Sequence, residues 1–137
     1  MVEANRCLFC YDAPCTKSCP THIDVPKFIK QITTDNVKGS AHTILSSNIF
    51  GAGCSKVCPV EKLCEGACVF NLLEEEPIQI ARLQQYSTSI AMEKNWQLFE
   101  RKNSPPAGGV RSKVAIVGAG PAGLSCAHVL AREGIDV

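Results

Sequence analysis

Eight of the nine cysteines fall into two compact groups, and no other feature restricts the possible folds as much. The first group lies in CLFCYDAPCTKSCP, Cys7 to Pro20, with spacing C-x2-C-x4-C-x3-C and a proline directly after the last thiol. The second, CSKVCPVEKLCEGAC from Cys54 to Cys68, is spaced C-x3-C-x5-C-x3-C. Thiols this dense imply disulfides, zinc or iron-sulfur clusters. An odd cysteine total leaves one thiol over in any intramolecular disulfide scheme, and MVEANR leads into Cys7 with no apolar signal core. A reducing cytoplasm is therefore the expected compartment, where clustered thiols serve metals or redox chemistry.

Other function classes are excluded by charge and hydropathy. The formal charge is +1, so there is no basic footprint for nucleic acid. No apolar run approaches the ~18 residues of a membrane-spanning helix. Among metals, structural zinc draws on paired C-x2-C knuckles, and only Cys7 with Cys10 has that form. Two iron-sulfur clusters would take eight soft ligands, and two groups of four are present. A cysteine run closing in Cys-Pro is similar to the bacterial ferredoxin arrangement, in which the fourth thiol of a run serves the other cluster. Spacing ranks clusters first, zinc second, and unliganded core or redox thiols third.

The rest of the chain reads as mainly α. Val25, Phe28, Ile29 and Ile32 recur at helical spacing behind a capping Asp24, with Pro26 acceptable in the first turn. A second helical pattern covers 37–45 after the polar turn Thr33 to Asn36, and Asn48 with Gly51-Ala52-Gly53 reads as its break. PIQIARLQQYSTSIAMEKNW, 77–96, predicts the longest helix of the region, opened by Pro77. Residues 101–112, rich in Ser, Pro and Gly, read as a linker after a helical domain over 1–100. KVAIV (113–117) then reads as a buried parallel strand, GAGPAG (118–123) as a turn, and LSCAHVLARE (124–133) as a helix that Gly134 ends. That is the opening of a Rossmann-like α/β domain. Gly118 permits the tight turn, Gly120 the approach of backbone to a pyrophosphate, and Gly123 close helix packing, with Pro121 and Ala122 between them at a helix N-terminus that faces the phosphates. The acidic residue expected about 20 positions later would fall past Val137. With one βαβ start unable to cover both faces of a parallel strand, 113–137 is not expected to bind a nucleotide alone.

Taken together, CLFCYDAPCTKSCP, GAGCSKVCPVEKLCEGAC, PIQIARLQQY and KVAIVGAGPAGLSCAHVLA resemble one arrangement over nearly the whole chain. It is that of the N-terminal iron-sulfur domain and first flavin-binding strand of dihydropyrimidine dehydrogenases, and of the related small subunits of NADPH-dependent glutamate synthases. The resemblance implies a helical domain with two [4Fe-4S] clusters, a following FAD domain that is truncated here, and NAD(P)H bound in a part that lies outside this chain. It also implies a crossed ligand set. Cys7, Cys10 and Cys15 with the distant Cys68 would hold one cluster, and Cys19, Cys58, Cys64 and Gln84 the other. Cys54 is then a spare thiol, and Cys126 a residue of the flavin-domain helix. Gln84 in Leu83-Gln84-Gln85 favours the dihydropyrimidine dehydrogenase branch, since the glutamate synthase relatives tend to carry an acidic residue there.

The function implied is an electron relay within an NAD(P)H-dependent, FAD-containing oxidoreductase that reduces uracil and thymine to their 5,6-dihydro forms. The pyrimidine site and its FMN would lie on a partner subunit or later domain, and this chain is expected to be inactive by itself. The alternatives are a glutamate synthase small subunit passing electrons to a glutamine-dependent large subunit, and a zinc-stabilised interaction module with no redox role. Self-association is a further expectation if apolar residues of 113–137 stand exposed. No nucleophile with a partner base is visible, so no catalytic residue is assigned. His22, His42 and His128 are scattered, and ordinary surface or core roles suit them better than metal binding.

Overall fold

The computed structural model describes residues 2–100 and 113–137. The linker expected over 101–112 lies outside the described residues. The chain divides into two units, Met1–Trp96 and Gln97–Val137, each taken by itself below.

The first unit is helical throughout its described residues: α1 (Val2–Asn5), α2 (Pro14–Ser18), α3 (Val25–Thr33), α4 (Val37–Ser47), α5 (Gly51–Val57) and α6 (Ile80–Glu93). Single 3-10 turns occur at Val60–Lys62 and Val69–Leu73. Helix α3 forms as its sequence requires. Asp24 accepts a hydrogen bond from the Lys27 N–H at 3.2 Å, Pro26 occupies the first turn, and Val25, Phe28, Ile29 and Ile32 bury one face. Helix α4 is capped in the same way by Asn36, whose Oδ1 accepts from the Gly39 N–H at 2.9 Å.

Helices α3, α4 and α6 pack together around Phe28, Ile29, Ile32, Ile44 and Ile80, all fully buried. Each such side chain contributes about 1.5–3 kcal/mol of burial free energy. Two polar contacts lock the packing: Ser40 Oγ on α4 meets Ser87 Oγ on α6 at 2.8 Å, and Thr43 Oγ1 donates to Gln31 Oε1 at 2.8 Å. The Ser40–Ser87 pair is buried, so each hydroxyl satisfies the other where water is excluded.

Helix α6 starts later than its proline suggests. Pro77 precedes it, Ile78 is buried in the core, and the first helical residue is Ile80. Carboxylates from distant segments satisfy the entry: Glu3 Oε1 accepts from the Gln79 N–H and Glu65 Oε1 from the Ala81 N–H, each at 2.9 Å. Anionic groups at a helix N-terminus satisfy orphan N–H donors and complement the dipole. The segment Gly51-Ala52-Gly53, expected as a break, instead opens α5. Gly51 is buried, and a Cβ there would lie 2.5 Å from Ile44 Cγ2. Close packing, and not flexibility, accounts for that glycine.

In the second unit the strand expected over 113–117 is reduced to one parallel bridge, Lys113 to Asp136, with the Val114 N–H donating to the Asp136 carbonyl at 2.9 Å. Val117 is fully exposed. A parallel strand needs neighbours on both edges and helices on both faces, and the described residues supply one bridge and one helix. That helix, α7 (Pro121–Arg132), closes in a Schellman motif: Gly134 at φ 83° donates to the Ala131 carbonyl, and Ile135 to the Leu130 carbonyl.

Candidate metal centres and the dinucleotide turn

All nine cysteines are free thiols. Two cavities in the first unit draw on them, and each takes residues from both sequence groups. Cys7, Cys10, Cys15 and Cys68 line the first, a space of about 360 Å³ including its open mouth. The remaining wall is apolar, with Val25 and Ile29 of α3, Phe70, Ile78 and Ile80 among it. Cys19, Cys54, Cys58, Cys64 and Gln84 line the second, about 510 Å³ measured in the same way, with Thr21, Asn48 and Ser55 adding polar groups. Among the described residues, no three His, Cys, Asp or Glu side chains stand together closely enough to hold a single ion.

Local structure explains how the thiols reach these positions. Phe9, inside the Cys7-x2-Cys10 turn, adopts φ 51°, a left-handed conformation that lets Cys10 stand beside Cys7. Pro14 starts α2, and Cys19 caps its end in an extended conformation ahead of Pro20, leaving for the second cavity. Thr16 Oγ1 accepts from the Val25 N–H at 3.2 Å and so ties this loop to α3. On the other side, Asn71 Nδ2 donates to the carbonyls of Glu65 and Gly66 and fastens the turn between Cys64 and Cys68. Glu65, next to Cys64, is the residue that caps α6.

Electrostatics follow from burial. Desolvation, reinforced by Cys10 and Cys68 and partly offset by the Phe9 N–H, pushes the Cys7 thiol up. Burial likewise raises Cys15 to about 12 and Cys64 to about 11, with the backbone N–H groups of Thr16 and Glu65 opposing. Cys58 is raised by burial and by the neighbouring Cys54 and Cys19. Without a cation these thiols stay protonated at neutral pH, so a metal that binds them must expel protons. Backbone N–H groups directed at sulfur are what a negatively charged iron-sulfur cluster needs from its surroundings, and the soft donors fit such a cluster. Gln84 is buried, and its Nε2 donates to the Gly51 carbonyl at 2.6 Å. That bond commits the amide nitrogen and leaves the carbonyl oxygen as the donor atom for a ligand.

A profile of the family described as dihydropyrimidine dehydrogenase domain II, 4Fe-4S cluster, matches residues 1–96. The chain belongs to this family. A profile described as FAD binding domain matches residues 111–137. The NAD-dependent dihydropyrimidine dehydrogenase subunit PreT homolog of Salmonella typhi is 45% identical over 135 residues, 98% of this chain and 31% of that protein. The PreT subunit of Escherichia coli K12 is 43% identical over the same shares. The putative oxidoreductase UacF of Escherichia coli K12 is 35% identical over 136 residues, 98% of this chain and 20% of its own length. The chain thus spans under a third of the curated relatives it matches. It carries an iron-sulfur domain followed by a short segment of FAD-binding type.

In that segment the glycines do different work. Gly118 sits at φ 109°, which only glycine adopts without strain. A Cβ on Gly123 would lie 2.0 Å from the Gly118 carbonyl oxygen, so the helix could not approach the turn. Gly120 caps α7 in open space, with Pro121 and Ala122 in the first turn. Cys126 is exposed on the same helix. Among the described residues, no helix is long and apolar enough to cross a membrane.

Sequence reasoning did not find the two carboxylate caps on α6. Glu3 and Glu65 lie far from Gln79 and Ala81 in sequence, and no local motif signals either contact. Cys54, which the resemblance makes a spare thiol beside the second ligand set, lines the second cavity with Gln84.

Proposed function

We propose that this chain is the electron-relay end of a cytoplasmic NAD(P)H-dependent FAD oxidoreductase and holds two [4Fe-4S] clusters. Cys7, Cys10, Cys15 and Cys68 bind one, and Cys19, Cys58, Cys64 and Gln84 the other. The carrying observation is that these two ligand sets line two separate cavities, each assembled from both cysteine groups. The clusters supply one-electron carriers. The protein's own part is to exclude water with Val25, Ile29, Ile78 and Ile80, and to direct backbone N–H groups at the thiolates.

The parent reaction is the reduction of uracil or thymine to the 5,6-dihydro form. Gly118, Gly120, Pro121, Ala122 and Gly123 would help to hold FAD, which would supply electrons taken from a nicotinamide, and an FMN-containing partner subunit or domain would hold the pyrimidine. The PreT relatives, named as NAD-dependent dihydropyrimidine dehydrogenase subunits, support this choice of substrate and NADH. Gln84 supports it over a glutamate synthase small subunit.

Anaerobic purification tests the reading. We expect a brown protein with broad absorption near ~400 nm and about eight irons per chain. Colourless protein carrying two zinc ions would overturn it. Copurification with an FMN-dependent pyrimidine reductase supports the assigned reaction, whereas a large amidotransferase would replace it with glutamate synthesis.

A further inference from the structure

The second cavity offers five donors where four are needed. We propose that Cys54 is a reserve ligand, able to take the coordination corner assigned to Gln84; this rests on the two-cluster reading above. The geometry that supports it lies in one short helix. Gly51, the first residue of α5, accepts the Gln84 amide at 2.6 Å, and Cys54 follows on the same helix. The orientation of Gln84 and the position of Cys54 are therefore set by one rigid element, fixed by the packing of Gly51 against Ile44, where a Cβ would lie 2.5 Å away.

Cys54 lines the second cavity and is half-buried. It shares the lining of that cavity with Cys19, Cys58 and Cys64. Asn48 Nδ2 donates to Cys54 Sγ at 3.1 Å, while Asn48 Oδ1 is held by the Phe50 N–H at 2.9 Å. The Asn48 amide thus holds the Cys54 sulfur in place at the cavity wall. In the exchange, the Gln84 oxygen would leave iron and the Cys54 sulfur would take its place. The thiol proton passes to solvent and no electron is transferred. The all-thiolate form carries one more negative charge, which lowers its reduction potential.

The test compares the wild-type protein, Gln84→Ala, Cys54→Ala and the double variant after anaerobic reconstitution with iron and sulfide. Its readouts are iron per chain and EPR-monitored potentiometry. We expect both single variants to retain all iron and the double variant to lose about half. Gln84→Ala should shift one midpoint downward, and Cys54→Ala should shift neither. Loss of half the iron in Gln84→Ala alone would overturn the reserve role while leaving Gln84 as the ligand. Loss in Cys54→Ala, with Gln84→Ala unchanged in iron and potential, would instead overturn the ligand assignment itself. Full iron in the double variant would overturn both. Should Gln84→Ala fail to fold, as read by circular dichroism, Gln84→Leu fills the same volume and repeats the comparison.

Discussion

The two cavities of the helical domain are built from the same thiol chemistry and differ in the polar groups set around it. The first has four cysteines in an apolar wall continuous with the core, through Val25, Ile29 and Ile80. The second has four cysteines and an amide, with Thr21, Asn48 and Ser55 around them. A dry, fully thiolate site lacks spare donors and is stabilised by the fold around it. A site with five candidate donors, one of them a neutral amide, would be able to change its ligands with less disturbance. On the two-cluster reading, we expect the first cavity to be the more tightly coupled to folding and the second the more adjustable.

The largest effect should come from removing one ligand of each. Cys68→Ala should lose about half of the iron and destabilise the domain, and Cys64→Ala should lose a similar share with less unfolding. Iron analysis and anaerobic thermal melts check both, and equal unfolding in the two variants would break the comparison. Next, Ile29→Ala removes a fully buried side chain that also walls the first cavity, and should cost about 2–5 kcal/mol. Denaturant titration measures that cost, and iron in the second cavity should be retained.

A smaller effect is expected from pH in the metal-free, reduced protein. Cys15 and Cys64 hold their protons more tightly when folded, with values raised from 9.0 to about 12 and about 11. The unfolded chain releases these protons from about pH 9 upward, so the stability present below pH 9 is lost as pH rises toward 11 and then 12. Melts across that range should show the decline, and Cys15→Ser should remove its upper part. The smallest effect is a control outside both cavities. Ser87→Ala, which strands Ser40 at the α4–α6 contact, should cost about 1–3 kcal/mol and leave iron content unchanged.

What the sequence made legible was mainly local. The caps Asp24 and Asn36 and the stripe Val25, Phe28, Ile29 and Ile32 are short-range signals, and the helices form where those signals place them. The turn at Gly118 and the stop at Gly134 were readable for the same reason, each needing a positive φ. Errors arose where distant residues decide. Gly51 reads as a breaker in isolation, but packing on Ile44 makes it the start of a helix. Pro77 reads as a helix start, but burial of Ile78 and the carboxylates of Glu3 and Glu65 delay it to Ile80. Spacing alone counts two groups of four thiols. That cavity linings cross between the groups could be anticipated only through family resemblance, because it depends on how the two loops meet.

That crossing makes metal loading an event of the whole domain. A cluster joining Cys15 to Cys68, as proposed, would close a loop of roughly 50 residues, an entropic restriction on the unfolded chain comparable to a disulfide of that span, about 4 kcal/mol. The first cavity cannot be completed until the chain has been synthesised through Cys68, and the second must wait for Gln84 on α6. A growing polypeptide therefore has neither cavity lining complete until α6 has been synthesised.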